Sequence, residues 1–217
     1  MKSNNFLQVI IALLISFIPH TVLSQQISGD EAVNWAEDKG RLLLETFQEK
    51  NIKERYAKLD NLFDKYVDVN YVAKFVVGRY WRDMSAEQKD EYVKVFGRYV
   101  KAIYKTFPLD FVSRLSYQVL GAEQGQGFTN VNAQIKIAAD KDIPAQEFLL
   151  SFRLHRDNGE IRLVDIKFAE SSLLLSYRGK FYEMIAVDDG DLEWFIEDLA
   201  DITTSAEQSN NRKLSLQ

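Results

Sequence analysis

Few residues in this chain have the types and spacing that catalysis demands. Beyond residue 24 there is one histidine, His155, followed by Arg156, and no cysteine occurs anywhere. A nucleophile–histidine–acid arrangement needs a serine and a carboxylate to converge on the imidazole, and no local spacing brings them to His155. A zinc site needs three or four histidine, cysteine or carboxylate ligands, which this composition does not offer. His155 therefore reads as an exposed histidine at a strand end. Carboxylates occur in pairs, Asp64 with Asp68 and Asp188 with Asp189. Such pairs can share a proton or bind calcium, but EF-hand spacing is absent and solvated helix ends are the simpler reading. Walker A, GxGxxG and HExxH sequences are also absent.

The densest constellation is VGRYWRDMSAEQ, residues 77–88. Arg79, Tyr80, Trp81 and Arg82 make an aromatic and basic knot that could be a binding site. The same stretch suits a helix corner. Gly78 can end one helix without steric cost, and Ser85 with Gln88 has the capping-box spacing that starts the next.

The elements around these residues follow from periodicity. Val33, Ala36, Leu43, Leu44 and Phe47, with Gly40 on the same stripe, give an amphipathic helix between Asp30 and Asn51. Ile52, Tyr56, Leu59, Phe63 and Val67 give a second, and Asp68 caps a short third one that carries Val72, Phe75 and Val76. A fourth runs from Ser85 with Tyr92, Val95, Phe96, Tyr99, Ile103 and Phe107 on one face, limited by Pro108. The period then changes to two. Leu115/Tyr117/Val119, Val131/Ala133/Ile135/Ile137, Phe148/Leu150/Phe152/Leu154 and Val164/Ile166/Phe168 mark four strands joined by short, turn-rich segments. Helical spacing returns at Leu174, Tyr177, Phe181 and Ile185, and again from Leu192 to Leu199. The expected fold is α+β: helices on one face of a strongly twisted four-stranded antiparallel sheet, a cone like that of nuclear transport factors, enclosing an apolar cavity.

The chain has 217 residues, with 27 Lys and Arg against 32 Asp and Glu, and an acid excess speaks against nucleic acid as a partner. Lys2, the 13-residue apolar run Phe6 to Ile18, Pro19 and Val22-Leu23-Ser24 have the pattern of a signal peptide over residues 1–24. The run is shorter than the roughly 20 residues of a membrane span; an uncleaved anchor is the competing reading. Residues 25–202 then form a single domain, and 203–217, poor in large apolar side chains, are expected to be a disordered tail.

Two blocks resemble the MlaC-type (toluene tolerance) periplasmic phospholipid-binding proteins. One is FDKYVDVNYVAKFVVGRYWRDMSAEQKDEYVKVF, residues 63–96, with Phe63-Asp64, Asp68, Gly78, Tyr80-Trp81-Arg82 and Ala86-Glu87-Gln88 in the family's order. The other is IPAQEFLLSFRLHRDNGEIRLVDIKFAESSLLLSYRGKF, residues 143–181, matching at Ile143-Pro144, Phe152-Arg153, Gly159, Val164-Asp165-Ile166, Ser172-Leu173, Tyr177-Arg178 and Phe181. The chain departs from the pattern at Ile161, at Ala169 to Ser172 and at Ser176, all around the last strand and the helix after it. With the helical segments on either side, the likeness covers roughly residues 30–202.

This resemblance implies a non-enzymatic carrier with glycerophospholipid as its ligand and no other cofactor, no metal and no catalytic residues. It implies a periplasmic shuttle in a Gram-negative bacterium, between an inner-membrane ABC-type lipid transport complex and an outer-membrane lipoprotein-porin complex, that maintains outer-membrane lipid asymmetry. Moving a methylene out of a membrane costs about 0.8 kcal/mol, so two chains of about fifteen carbons cost on the order of 20 kcal/mol unless they are buried again. The expected wall is Ile135, Phe148, Leu150, Phe152, Val164, Ile166 and Phe168 on the sheet, with Val76, Phe96, Tyr99, Ile103, Tyr177 and Phe181 on helices. Plain core positions show the same periodicity. Arg79, Arg82 and Arg178 are headgroup candidates, with structural pairing as their alternative role. The competing function is an enzyme on a nuclear-transport-factor-like cone, with Asp165 as base and a tyrosine donor acting on a small apolar substrate. Strand parity puts Asp165 opposite Val164 and Ile166.

Overall fold

The computed structural model describes residues 26–106, 109, 111–140 and 144–215. The expected signal peptide, Phe107, Pro108 and Ile143 lie outside this range. Helix α1 spans Gly29–Phe47 and starts where the Ser28 side chain accepts the Glu31 N–H. Helix α2 (Ile52–Tyr66) starts at Asn51 and helix α3 (Val69–Val77) at Asp68, whose carboxylate accepts the Tyr71 N–H at 2.9 Å. Gly78 ends α3 at φ 57°, and a β-carbon there would collide with the Tyr182 hydroxyl. A 3-10 turn, Gly78–Arg82, leads to α4 (Ala86–Tyr104), whose capping box is complete: Ser85 Oγ accepts from Gln88 N and Gln88 Oε1 accepts from Ser85 N.

The sheet follows in chain order as β1 (Leu115–Gln124), β2 (Thr129–Ile137), β3 (Gln146–Asp157), β4 (Glu160–Phe168) and a short β5 (Ser171–Ser172), all antiparallel. The expected four strands become five because Ser171 and Ser172 turn back along β4 before α5 begins. Helices α5 (Leu173–Val187) and α6 (Leu192–Ser215) complete the chain. No described helix is long and apolar enough to cross a membrane.

The core is divided. One part lies among α3, α4, α5 and α6, where Tyr92, Phe96, Phe181 and Phe195 are at most 1% exposed and their rings meet at 5.4–6.4 Å. Burial of each such side chain contributes about 1.5–3 kcal/mol. The other part lies where α1 crosses the sheet, bringing Ala32 and Ala36 against Val131 and Leu154. Gly40 lets α1 sit close to the sheet, since a β-carbon there would collide with the Tyr117 ring.

The structure corrects two expectations here. Helices do not keep to one face: His155 and Asp165, which alternate away from Leu154 and Ile166, bond to the starts of α3 and α5 respectively. The segment 203–215 is helix, not disordered tail, with Thr203 and Asn210 buried. Asn210 Nδ2 donates to the Ala102 carbonyl at 2.9 Å, and Arg98 makes two bonds to Glu207 at 2.7 and 3.0 Å. Large apolar residues are not needed to order this stretch because α4 supplies polar partners at helical spacing.

Candidate functional site

Strand register sets the apolar face out in ranks. Tyr117, Ile135 and Phe148 oppose one another across β1, β2 and β3; next come Val119, Ala133, Leu150 and Phe168; then Ala122, Val131, Phe152 and Ile166. Under α1 the face is sealed, with Val131 and Ala133 inaccessible. Away from α1 it is not. Ile135, Phe148, Leu150, Phe152 and Ile166 are half-buried, and Phe168 is 44% exposed with its ring 4.9 Å from that of Phe148. A contiguous apolar surface left open to water marks a place where something else binds.

Val164 does not join these ranks. The β3–β4 register slips between Arg153 and Leu154, so Leu163, not Val164, lies opposite Leu154 and reaches the α1 core together with Ile161. Val164 is the extra residue of this bulge, buried but outside both core clusters.

The helix candidates lie elsewhere. Val76, Phe96, Tyr99 and Phe181 are at most 2% exposed, Ile103 and Tyr177 pack against them, and all six belong to the α3–α6 core. Tyr99, Tyr177 and Phe181 form a ring triad at 5.8–6.4 Å. Burial, followed by the neighbouring Tyr99, pushes the Tyr177 hydroxyl up to about 12. The expected single wall is thus two surfaces: a filled helical core and a partly open sheet face.

A cleft of about 480 Å3 opens where α1 meets β1. Leu44, Tyr117 and Val119 give it apolar surface; Glu37, Arg41, Glu45, Gln48 and Gln118 supply its polar groups. Tyr117 donates to the Ala36 carbonyl at 3.1 Å, and burial, then the charge of Glu37, pushes its hydroxyl up to about 12. Arg41 bonds Asp38 at 2.6 Å and Glu45 at 3.1 Å. Sequence reasoning missed Glu37, Arg41 and Glu45, whose pattern is that of any solvated helix face. The one available signal was Gly40 on the apolar stripe, a sign of close backbone approach.

The arginine candidates have structural partners, with one exception. Arg178 donates twice to the Phe75 carbonyl, with its guanidinium 3.8 Å from the Phe75 ring centre, and so joins α5 to α3. Arg79 donates to the Tyr80 hydroxyl at 2.9 Å and lies over the Tyr80 and Tyr182 rings. Arg82 is exposed, and its side chain has no hydrogen bond or ion pair among the described residues. Trp81 packs edge-on to Tyr92 under the same corner.

The titratable candidates are also engaged. His155 is not exposed: its Nε2 donates to Asp68 Oδ2 at 2.7 Å, and its ring packs in a cluster with those of Tyr71 and Phe128. Asp64 pairs instead with Lys101 at 2.5 Å. Asp165 is 5% exposed, and its oxygens accept from Ser172 Oγ at 2.7 Å and Leu174 N at 3.2 Å, which leaves it poorly placed to act as a base. Among the described residues no three His, Asp or Glu side chains converge as a metal site.

Comparison with known families matches residues 42–201 to the family described as MlaC protein. Among solved structures, the chain is similar to a phospholipid-binding protein from Ralstonia solanacearum, determined in complex with a phospholipid. The TM-score is 0.66 at 15% identity, covering 81% of this chain and 98% of that one. At this identity the likeness speaks to the fold. No curated protein matches the chain.

Proposed function

The chain belongs to the MlaC family, and from that membership and the sheet geometry we propose that it is a non-enzymatic phospholipid carrier. The observation that carries this reading is the open part of the apolar face. Ile135, Phe148, Leu150, Ile166 and Phe168 stay half-buried or exposed while the helical core beside them is closed. An acyl chain laid over these ranks would cover them, and each buried methylene returns about 0.8 kcal/mol of the cost of leaving a bilayer. The phospholipid bound by the Ralstonia solanacearum neighbour agrees with this reading. In this proposal the carrier works in the periplasm, exported by the segment 1–24. It passes lipid between an inner-membrane ABC-type complex and an outer-membrane lipoprotein-porin complex to maintain lipid asymmetry.

Extraction of protein purified from cells, followed by mass spectrometry, tests the ligand. Phospholipid should co-purify, and the emptied protein should take lipid up from vesicles. Protein that carries no lipid and takes none up is not a carrier.

A further inference from the structure

The cleft between α1 and β1 carries charges that acyl chains do not need. Tyr117 belongs both to this cleft and to the first apolar rank, so a molecule whose polar end sits in the cleft can run its chain across Ile135 to Phe148. At about 480 Å3 the cleft holds about sixteen groups of water size, taking roughly 30 Å3 each. That is room for a headgroup and its glycerol but not for two full tails.

Its charged lining is one guanidinium and two carboxylates: Arg41, Glu37 and Glu45. Arg41 is 63% exposed and uses one nitrogen toward Glu45 and another toward Asp38, so donors remain free on its five-donor fork. The Glu37 side chain is exposed and has no hydrogen bond or ion pair among the described residues. A phosphate alone would gain one cation and meet two anions. A zwitterion with its phosphate toward Arg41 and an ammonium toward the carboxylates satisfies all three. Arg79 and Arg178 are held by tyrosines and by the Phe75 carbonyl, and Arg82, though free, lies at the Gly78–Arg82 turn and does not line the cleft; Arg41 is the arginine that does.

We propose that this cleft is a headgroup site selecting zwitterionic, ammonium-bearing phospholipids over anionic ones. Glu37 and Glu45 receive the ammonium and Arg41 the phosphate. The inference rests on the carrier reading above.

The test is competitive uptake. Emptied protein is incubated with vesicles of equal parts phosphatidylethanolamine and phosphatidylglycerol and re-isolated, and its lipid is quantified by mass spectrometry. The native chain should favour phosphatidylethanolamine by about three- to tenfold, the range for one or two partly exposed ion pairs. The double variant Glu37→Lys, Glu45→Lys should move the ratio toward phosphatidylglycerol by a similar factor. The double variant Glu197→Lys, Asp201→Lys makes the same change in net charge at exposed positions of α6 and should keep the native ratio. Thermal melts confirm that each variant is folded. Uptake without headgroup preference, or an α1 variant that behaves like the α6 control, overturns the headgroup site and leaves the carrier intact. No uptake of either lipid by the native chain overturns both.

Discussion

The carboxylate of Asp165, on β4, accepts the backbone N–H of Leu174 at 3.2 Å, where α5 begins after the short β5. Its other oxygen accepts from Ser172 Oγ at 2.7 Å, while the same hydroxyl oxygen accepts the Leu175 N–H. Two N–H groups that would be orphans at the start of α5 are thus satisfied from one buried acid and one serine. Asp165→Ala should lower stability by about 1–3 kcal/mol in urea unfolding, the cost of buried donors left unpaired. Asp165→Asn, which keeps one acceptor, should lose less. Equal midpoints for the native chain and Asp165→Ala would refute this capping role.

The two apolar surfaces should respond differently to substitution. Phe181, with no exposed surface in the helical core, should cost about 3–5 kcal/mol on change to Ala. Phe148→Asp, on the half-open face, should abolish lipid uptake with little loss of stability. Circular dichroism melts and vesicle uptake on both variants separate core from wall. A Phe148→Asp protein that unfolds would place that residue in the core.

Asp188 caps the C-terminal end of α5, where the helix dipole disfavours a negative charge. One of its oxygens is buried without a partner. Burial, followed by Asp198, Asp191 and Asp189, holds its pKa above the ordinary carboxylate value. An acid whose pKa rises on folding binds its proton more tightly in the folded state. Its stabilising contribution is therefore present at low pH and is lost as pH rises through the folded pKa. Asp188→Asn should raise the urea midpoint at pH 7, and the gain should shrink to nothing below about pH 4, the ordinary aspartate range. A gain independent of pH would point to another cause.

Truncation after Ile202 would remove Asn210 and Glu207, the partners of α4, together with the buried Thr203. It would leave the Ala102 carbonyl without its Asn210 partner and Arg98 without its carboxylate. We expect a loss of about 1–3 kcal/mol, on the scale of a buried hydrogen bond left unmade. Amide exchange in α4 should quicken around Ala102. Unchanged exchange there would mean that the last turns of α6 add nothing to the fold.

Much of the fold was legible because it rests on local rules. Ser85 with Gln88 closed the expected capping box, Asp68 caps α3, and Gly78 takes the positive φ that ends it. The site was legible only in part. Phe148 and Phe181 have the same apolar periodicity, yet one faces a half-open sheet and the other a sealed helical core. Parity failed at Val164 because a bulge adds one residue to β4 and moves Leu163 onto the face. His155 read as exposed because Asp68 lies 87 residues away in sequence but 2.7 Å away in space.

Hydrophobic period, caps and turns act within a few residues, so the sequence alone determined the helices up to about residue 202, the four main strands and, except at the β4 bulge, which strand face is apolar. Which faces meet, which acid finds which base, and where a cleft stays open depend on contacts between distant segments. Those contacts belong to the tertiary structure. It sealed the helix aromatics into a core, ordered the polar C-terminal helix against α4, and set the charged side of α1 beside an apolar sheet.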